Sequence, residues 1–179
     1  MDKLLLVSCC APCSVGVITD LAQQGQNFTV LFYNPNIQPL EEYTKRLNEN
    51  KRICDELGVN FVELEYNPEA WELITQGLEN EPEKGKRCDK CFYMRLKRTA
   101  QYAKQHGFTR ITSVLGISRY KDFDQVCRVG KLVEAEIGIP YDTTNWRKNG
   151  GLERTEALCK EKNLYRQKYC GCKSSMKIK

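Results

Sequence analysis

The chain has 179 residues, the length of one ordinary domain, and 41% of them are hydrophobic. The mean hydropathy of −0.57 and the lack of a long apolar run predict a soluble protein of the cytoplasm, not a membrane protein. The chain has one histidine, His106, which excludes most hydrolase and metalloprotease designs that need several. Ten cysteines are far above ordinary usage, so they predict chemistry based on thiolates and carboxylates.

The net charge of +5 is modest, but its distribution is uneven. Residues 84–98 contain seven basic side chains and one acid, Asp89, and residues 148–179 contain nine basic side chains and three acids. Basic segments of this kind favour a polyanion such as nucleic acid as partner, because each neutralised phosphate releases a counterion. The alternative is that these charges form solvated helix faces.

Apolar runs of strand length alternate with helical periodicity along the chain. The predicted strands are 3–8, 28–33, 60–65, 110–115 and a short last strand at 139–141. The predicted helices are a segment ending near Gly25, then 40–57, 68–77, 89–105 and 122–136. This alternation predicts an α/β protein with a mostly parallel sheet and helices on both faces, a three-layer arrangement.

Ligands of such folds bind at the carboxyl ends of the strands. Three segments follow strand ends directly: 9–13, 34–37 and 118–122. We therefore expect these segments to converge on one rim of the sheet.

Seven of the ten cysteines fall into three groups, and their positions are 9, 10 and 13, then 88 and 91, then 170 and 172. The first two groups lie at predicted helix starts, where unpaired backbone N–H groups and the helix dipole favour thiolates and an anionic cluster. An iron–sulfur site would use this pattern. A structural zinc held by four thiolates, or a redox disulfide, would use part of it. Because seven thiols exceed the usual four ligands, some are expected to bind a second metal or to react directly.

Five other residues have local interpretations. Cys54, Cys127 and Cys159 fall inside helical patterns and are expected to be small buried side chains. His106 precedes a glycine that ends a helix, and we expect it to cap that helix. Asp89 lies between two cysteines, where its carboxylate would complete a mixed metal site or interact with the helix dipole as an acid of the first turn.

The sequence resembles the QueH family of epoxyqueuosine reductases. The matching motifs are Leu-Leu-Val-Ser-Cys-Cys-Ala-Pro-Cys-Ser (5–14), Asn-Pro-Asn-Ile (34–37), Glu42-Tyr43 with Arg46, Arg-Cys-Asp-Lys-Cys-Phe-Tyr-Met-Arg-Leu (87–96), Ser-Arg-Tyr-Lys-Asp (118–122) and Tyr-Arg-Gln-Lys-Tyr-Cys-Gly-Cys (165–172). The resemblance implies a Rossmann-like fold related to the adenine-nucleotide alpha-hydrolases. Those relatives that use ATP carry a glycine-rich phosphate loop after the first strand, where this chain has cysteines and Pro12, so ATP chemistry is not expected.

The resemblance also implies a reaction, the two-electron removal of the epoxide oxygen from epoxyqueuosine in a tRNA anticodon loop. It implies one iron–sulfur reductase domain over 1–179, with the basic segment 145–179 closing the cluster site. A [4Fe–4S] cluster is assigned to Cys10, Cys88, Cys91 and Cys170. A second metal, a mononuclear iron or zinc, or proton delivery, is assigned to Cys9, Cys13, Cys172 and Asp89, with Cys13 and Asp89 as the catalytic candidates. The expected electron donor is a low-potential protein such as a ferredoxin or flavodoxin.

Contacts with the RNA are expected from residues near the rim: Tyr33, Asn34, Asn36, Arg95, Ser118, Arg119, Tyr120 and Lys121. Unstacked bases of a loop stack on aromatic rings, and Tyr33, Phe92, Tyr93, Tyr120 and Trp146 are candidates, although several would equally fill the core. Two other functions fit the sequence, a zinc-stapled RNA-binding module without catalysis and an iron–sulfur electron-transfer or redox-sensing protein.

Overall fold

The computed structural model describes residues 2–176 and contains a sheet of four parallel strands in the order β3-β2-β1-β4. The strands are β1 Leu4–Ser8, β2 Phe28–Phe32, β3 Asn60–Glu63 and β4 Arg110–Ser113. The helices are α1 Ala11–Gln23, α2 Leu40–Glu56, α3 Pro68–Thr75, α4 Lys86–Gln105, α5 Phe123–Ile137, α6 Gly151–Glu161 and α7 Lys173–Met176, and Leu115–Ile117 form a 3-10 turn.

The helices form two groups on opposite faces of the sheet. Helix α1 packs against α2 and α6, and α4 packs against α3 and α5. Because parallel crossovers are right-handed and β4 pairs with the edge of β1 opposite to β2, these groups cover different faces. Every residue of β1 and β2 is buried, as expected for central strands covered on both sides. The predicted three-layer α/β fold is confirmed.

Some boundaries differ from the prediction. Residues 139–141 do not form a strand, and their only described ladder contact is an isolated parallel bridge between Tyr141 and Ile111. The predicted last strand is therefore wrong, because the run is too short to add a full ladder. Helix α4 begins at Lys86, three residues before the predicted start, so Cys88 lies in its first turn.

The isolated cysteines and the histidine mostly follow the prediction. Cys54 and Cys159 are buried, whereas Cys127 is only half-buried, which corrects the expectation for that residue. On α5, Cys127 packs at the margin of the main core. His106 caps the end of α4, where its Nδ1 lies 2.9 Å from the Tyr102 carbonyl oxygen. Within residues 2–176, no helix is long and apolar enough to cross a membrane.

Candidate metal and substrate site

The first cysteine group, which we call the triad, consists of Cys9, Cys10 and Cys13 and lies where β1 turns into α1. The backbone is extended at Cys10, and Pro12 lies at the start of the helix, which fixes φ for the first turn. The three buried sulfurs lie within 4.8 Å of one another, and the Sγ atoms of Cys9 and Cys10 are 3.8 Å apart. Adjacent residues and one helical turn thus suffice to build a three-thiol site.

The three thiols of the triad have different acidities. Hydrogen bonds from Cys10 and then Cys13 hold the pKa of Cys9 well below its usual value, and nearby Lys121 and Arg95 lower it further. The hydrogen bonds that Cys13 donates to Cys10 and to Cys9, together with its burial, raise the pKa of Cys13 well above its usual value. The triad therefore favours one thiolate, at Cys9, surrounded by two thiol donors.

The second group, which we call the quartet, consists of Cys88, Cys91, Cys170 and Cys172. The first two lie in the opening turns of α4, and Cys91 packs with Cys172 against the buried ring of Trp71. Burial raises the pKa of Cys88 to about 12, and the thiols Cys91 and Cys170 act in the same direction. Cys170 also interacts electrostatically with the triad residue Cys9, which links the two groups.

A buried arginine of α2 holds the C-terminal half of the quartet in place. Arg46 donates to the carbonyl oxygen of Cys170 at 2.9 Å and to that of Tyr169 at 3.1 Å. Its Nε donates to Glu42 at 2.7 Å, so the buried charge is paired. Gly171 adopts φ 135°, and a Cβ there would lie 3.3 Å from the Arg46 guanidinium, so the close approach requires glycine. We call this contact the Arg46 clasp.

Two further cations are buried beside the thiols. Burial alone would lower the pKa of Lys121, but the thiols of Cys170, Cys9 and Cys13 raise it, so the ammonium stays charged. Arg95 is fully buried, with Nε donating to the carbonyl oxygen of Tyr33 at 3.3 Å. Positive charges buried here favour thiolates or another anionic group at the same place.

A cavity of about 850 Å³ opens beside the triad. Its walls include Cys13 of the triad, the segment 117–124 that follows β4, and Gln167. The Nε2 of Gln167 donates to the Sγ of Cys10 at 2.9 Å. Arg147 supports the wall formed by residues 117–124 by donating to the carbonyl oxygens of Ile117 and Ser118 at 3.1 and 2.9 Å. The expected meeting of 9–13 with 118–122 is confirmed.

The other predicted substrate residues lie elsewhere. The side chain of Asn34 is fully buried, donates to the Ser8 carbonyl oxygen at 2.9 Å and accepts from Arg95. Asn36 is buried against the Gly171 turn. Tyr33 lines a separate cavity on the outer side of α4. Asn34 and Asn36 thus make contacts within the protein beside the cysteine groups. Their contact with substrate, and that of Tyr33, stays a prediction.

Several aromatic candidates belong to the core. Phe92 is buried in the main cluster, and Tyr93 and Trp146 pack against its margin. Tyr120 differs, because its half-buried ring lines the large cavity.

The side chain of Asp89 bonds to residues of α5. Its Oδ1 accepts from Gln125 at 2.9 Å and from Arg128 at 2.5 Å, and its side chain is 37% exposed. It lies in the first turn of α4, as the dipole interpretation requires. Metal ligation by Asp89 stays a prediction.

Sequence reasoning missed three contributors to the site: Arg147, Gln167 and the clasp made by Arg46. Both Gln167 and Arg46 lie in the motifs that match the family. Gln167 also lies close to Cys170 in sequence, and this proximity could have identified it as a contributor to the site. The clasp joins residues more than 120 positions apart, and no local pattern shows it.

The donor set fits a metal or metal cluster. All ten cysteines are free, and seven of them form the triad and the quartet. Burial penalises their charged forms, a penalty that a bound cation offsets. Among residues 2–176, two buried polar atoms near them, Arg95 Nη1 and Gln167 Oε1, have no hydrogen-bond partner. Soft thiolates suit iron, iron–sulfur clusters and zinc.

Comparison with known proteins gives the following similarities. Residues 4–178 match the family described as epoxyqueuosine reductase QueH. An epoxyqueuosine reductase QueH from Histophilus somni is 45% identical over 177 residues, which cover 98% of this chain and 73% of that protein.

Two solved structures share the fold. A predicted subunit of tRNA methyltransferase from Methanocaldococcus jannaschii aligns with a TM-score of 0.59 and 12% identity, covering 96% of this chain and 95% of that one. The U34-tRNA thiolase NcsA from Methanococcus maripaludis, solved with its [4Fe-4S] cluster, aligns with a TM-score of 0.58 and 11% identity, and the alignment covers 93% of this chain and 58% of that one. At these identities the likeness concerns the fold.

Proposed function

The chain belongs to the QueH family of epoxyqueuosine reductases, and we propose that it reduces epoxyqueuosine to queuosine in the anticodon loop of tRNA. The observation that carries this proposal is the family match over residues 4–178, which includes every cysteine of the triad and the quartet. In the reaction, the epoxide takes up two electrons and two protons, and both of its C–O bonds break. The nucleoside then contains an alkene, and the oxygen leaves as water.

We propose that Cys10, Cys88, Cys91 and Cys170 hold a [4Fe–4S] cluster. Cys9, Cys13 and Cys172 would then hold a second metal, a mononuclear iron or zinc, or deliver protons, and Asp89 would join them once its carboxylate leaves Gln125 and Arg128. When bound, these groups supply single electrons and a Lewis acid for the epoxide oxygen. The seven free thiols and the buried cations Lys121 and Arg95 support an anionic metal centre here.

The residues of the large cavity bind and orient the nucleoside in this proposal. Ser118, Arg119 and Tyr120 line its wall and offer a hydroxyl, a guanidinium and a ring to the RNA. Cys13 is the triad residue that lines the cavity, which supports a proposed role for it toward the epoxide or its departing oxygen. Lys121 keeps a fixed positive charge beside the thiols, which favours the negative charge that develops on that oxygen.

We propose that the basic segment 145–179 closes the cluster site, and its part within residues 145–176 makes contacts that support this role, whereas residues 177–179 lie outside the described residues. Gln167 contacts Cys10, Tyr120 donates to the Lys168 carbonyl oxygen at 3.0 Å, and the Arg46 clasp holds residues 169–171. A ferredoxin or flavodoxin is the proposed electron donor, because the reaction needs a low-potential source outside this chain.

The basic segments would hold phosphates of the anticodon loop without reading sequence. Part of this charge is already paired, since Lys97 bonds Glu136 and Arg98 bonds Glu65. Arg119 and Lys168 lie exposed near the cavity mouth and suit the role better.

The test is anaerobic purification followed by turnover. We expect a brown protein that contains iron and acid-labile sulfide and that, with a chemical reductant, removes one oxygen atom from epoxyqueuosine in tRNA, as measured by nucleoside mass. A colourless protein with stoichiometric zinc would favour the zinc-stapled RNA-binding module. A cluster without tRNA binding or turnover would favour the electron-transfer protein.

A further inference from the structure

A second cavity, of about 350 Å³, lies on the far side of Tyr120 from the large one. We call it the tyrosine pocket. It is lined by Glu83, Tyr120, Tyr165, Lys168, Tyr169, Ser175 and Met176. Because Tyr120 lines both cavities, the tyrosine pocket is adjacent to the proposed nucleoside site.

The three tyrosines of this pocket have engaged hydroxyls. Tyr165 donates to Glu42 at 2.7 Å, Tyr120 donates to the Lys168 carbonyl oxygen at 3.0 Å, and Tyr169 donates to the Gln38 carbonyl oxygen. These bonds restrict the rings, so little rotamer entropy is lost when a ligand binds. With the hydroxyls occupied, the rings contribute mainly carbon surface to the pocket.

The volume and charge of the pocket select the ligand. The volume lies at the lower end of the range for small-molecule sites, about 300–1,000 Å³, which suits one flat ring system. The wall includes one lysine, Lys168, and one acid, Glu83, and the Arg119 guanidinium lies 5.0 Å from the ring centre of Tyr120. Aromatic rings interleaved with lysine and arginine are the usual means of binding a single-stranded nucleic acid.

We propose that the tyrosine pocket takes the unstacked base of a nucleotide adjacent to the modified one in the anticodon loop. The inference rests on the proposed function, because the large cavity must hold the modified nucleoside. Tyr120 then separates two consecutive bases, and Arg119 and Lys168 meet the backbone phosphates beside them. This arrangement explains why residues 165–176 are held against the site by several independent contacts.

A cycle of protein and RNA variants tests the pocket. Tyr165 is 39% exposed, so Tyr165→Leu removes a ring without opening the core, and Tyr165→Phe keeps the ring as a matched control. The ligands are an anticodon stem-loop with epoxyqueuosine and two versions that lack the base on its 5′ or its 3′ side. Binding is measured directly, and turnover separately.

We expect Tyr165→Leu to weaken binding of the intact stem-loop about 5- to 100-fold, the effect of losing one stacked base, with Tyr165→Phe close to wild type. One of the two abasic stem-loops should bind the wild-type protein as weakly as the intact stem-loop binds Tyr165→Leu. With that abasic stem-loop, Tyr165→Leu should cause no further loss of affinity. Equal losses on the intact and both abasic stem-loops, or no loss at all, would overturn the proposal.

A second measurement uses the wild-type protein. A fluorescent base analogue placed on the 5′ or the 3′ side should be quenched on binding at one of the two positions. Quenching at neither position would contradict the pocket. If the wild-type protein turns over the intact stem-loop but quenches neither analogue, the proposed base pocket is wrong and the proposed reaction stands. If the stem-loop binds but is not turned over, the proposed reaction is wrong.

Discussion

The thiols of the triad are buried, those of the quartet are buried at Cys91 and Cys172 and half-buried at Cys88 and Cys170, and the two groups are assembled in different ways. The triad comes from five consecutive residues at one strand-to-helix turn, and its sulfurs lie within 4.8 Å of one another. The quartet joins the start of α4 to a C-terminal segment about 80 residues later, and the Arg46 clasp holds the second half. A local turn therefore preforms the triad, whereas the quartet depends on long-range packing.

Acidity separates the groups as well. The triad shares hydrogen bonds that lower the pKa of Cys9, so it holds a thiolate readily. In the quartet, burial raises the pKa values of Cys88, Cys91 and Cys170, so these thiolates form only with a cation beside them. Cys13 of the triad resembles the quartet in this respect, because its hydrogen bonds and its burial also raise its pKa.

The largest effect is expected from removing a ligand of the quartet. Cys88→Ser or Cys91→Ser should abolish or severely deplete iron and sulfide, because an alcohol does not replace a thiolate for iron. Cys127→Ser, at a half-buried position outside both groups, is the matched control and should keep a normal iron content. Full iron and sulfide in Cys88→Ser would remove that residue from the ligand set.

The next effect concerns the clasp. Arg46→Met leaves Glu42 buried without its partner and frees the backbone of Cys170, so the free energy of unfolding should fall by about 3–5 kcal/mol. Denaturant unfolding measures this, and iron content should fall in parallel. Arg52→Met, on the exposed face of α2, should change stability by less than about 1 kcal/mol. Equal effects of the two variants would contradict the clasp.

The sequence was informative where structure is local. The apolar run of β1, the turn at Pro12 and the helical spacing of Cys88 and Cys91 each follow from residues that are neighbours in sequence, and all were predicted. The isolated bridge at Tyr141 and the Arg46 clasp depend on distant partners, so periodicity could not reveal them. The same applies to Asp89, whose neighbour Arg128 comes from another helix.

A third prediction separates two roles of Asp89. Asp89→Asn should lower turnover by about tenfold or more while the iron–sulfur spectrum persists, consistent with about 1.4 kcal/mol per tenfold. Arg128→Gln removes only the ion-pair partner and should leave turnover within about twofold, because the pair is largely exposed. Equal losses in both variants would assign Asp89 to the ion pair instead of the metal site.

The smallest effect concerns surface charge. Lys168→Gln at the tyrosine pocket should reduce the slope of log binding constant against log salt by about 0.7 to 0.9, the loss of one phosphate contact. Lys131→Gln, on the exposed side of α5 with Glu134 as partner, should leave the slope unchanged. A slope unaffected by Lys168→Gln would place the RNA elsewhere.

The central claim is that the triad and the quartet together carry out a reduction of the modified nucleoside in the RNA. The most direct measurement is a single-turnover reaction of the reduced, anaerobic protein with tRNA that contains epoxyqueuosine, counting electrons consumed and queuosine formed. Two electrons per queuosine are predicted, with no queuosine from Cys88→Ser. Unchanged epoxyqueuosine after reaction with iron-loaded, reduced wild-type protein would contradict the account.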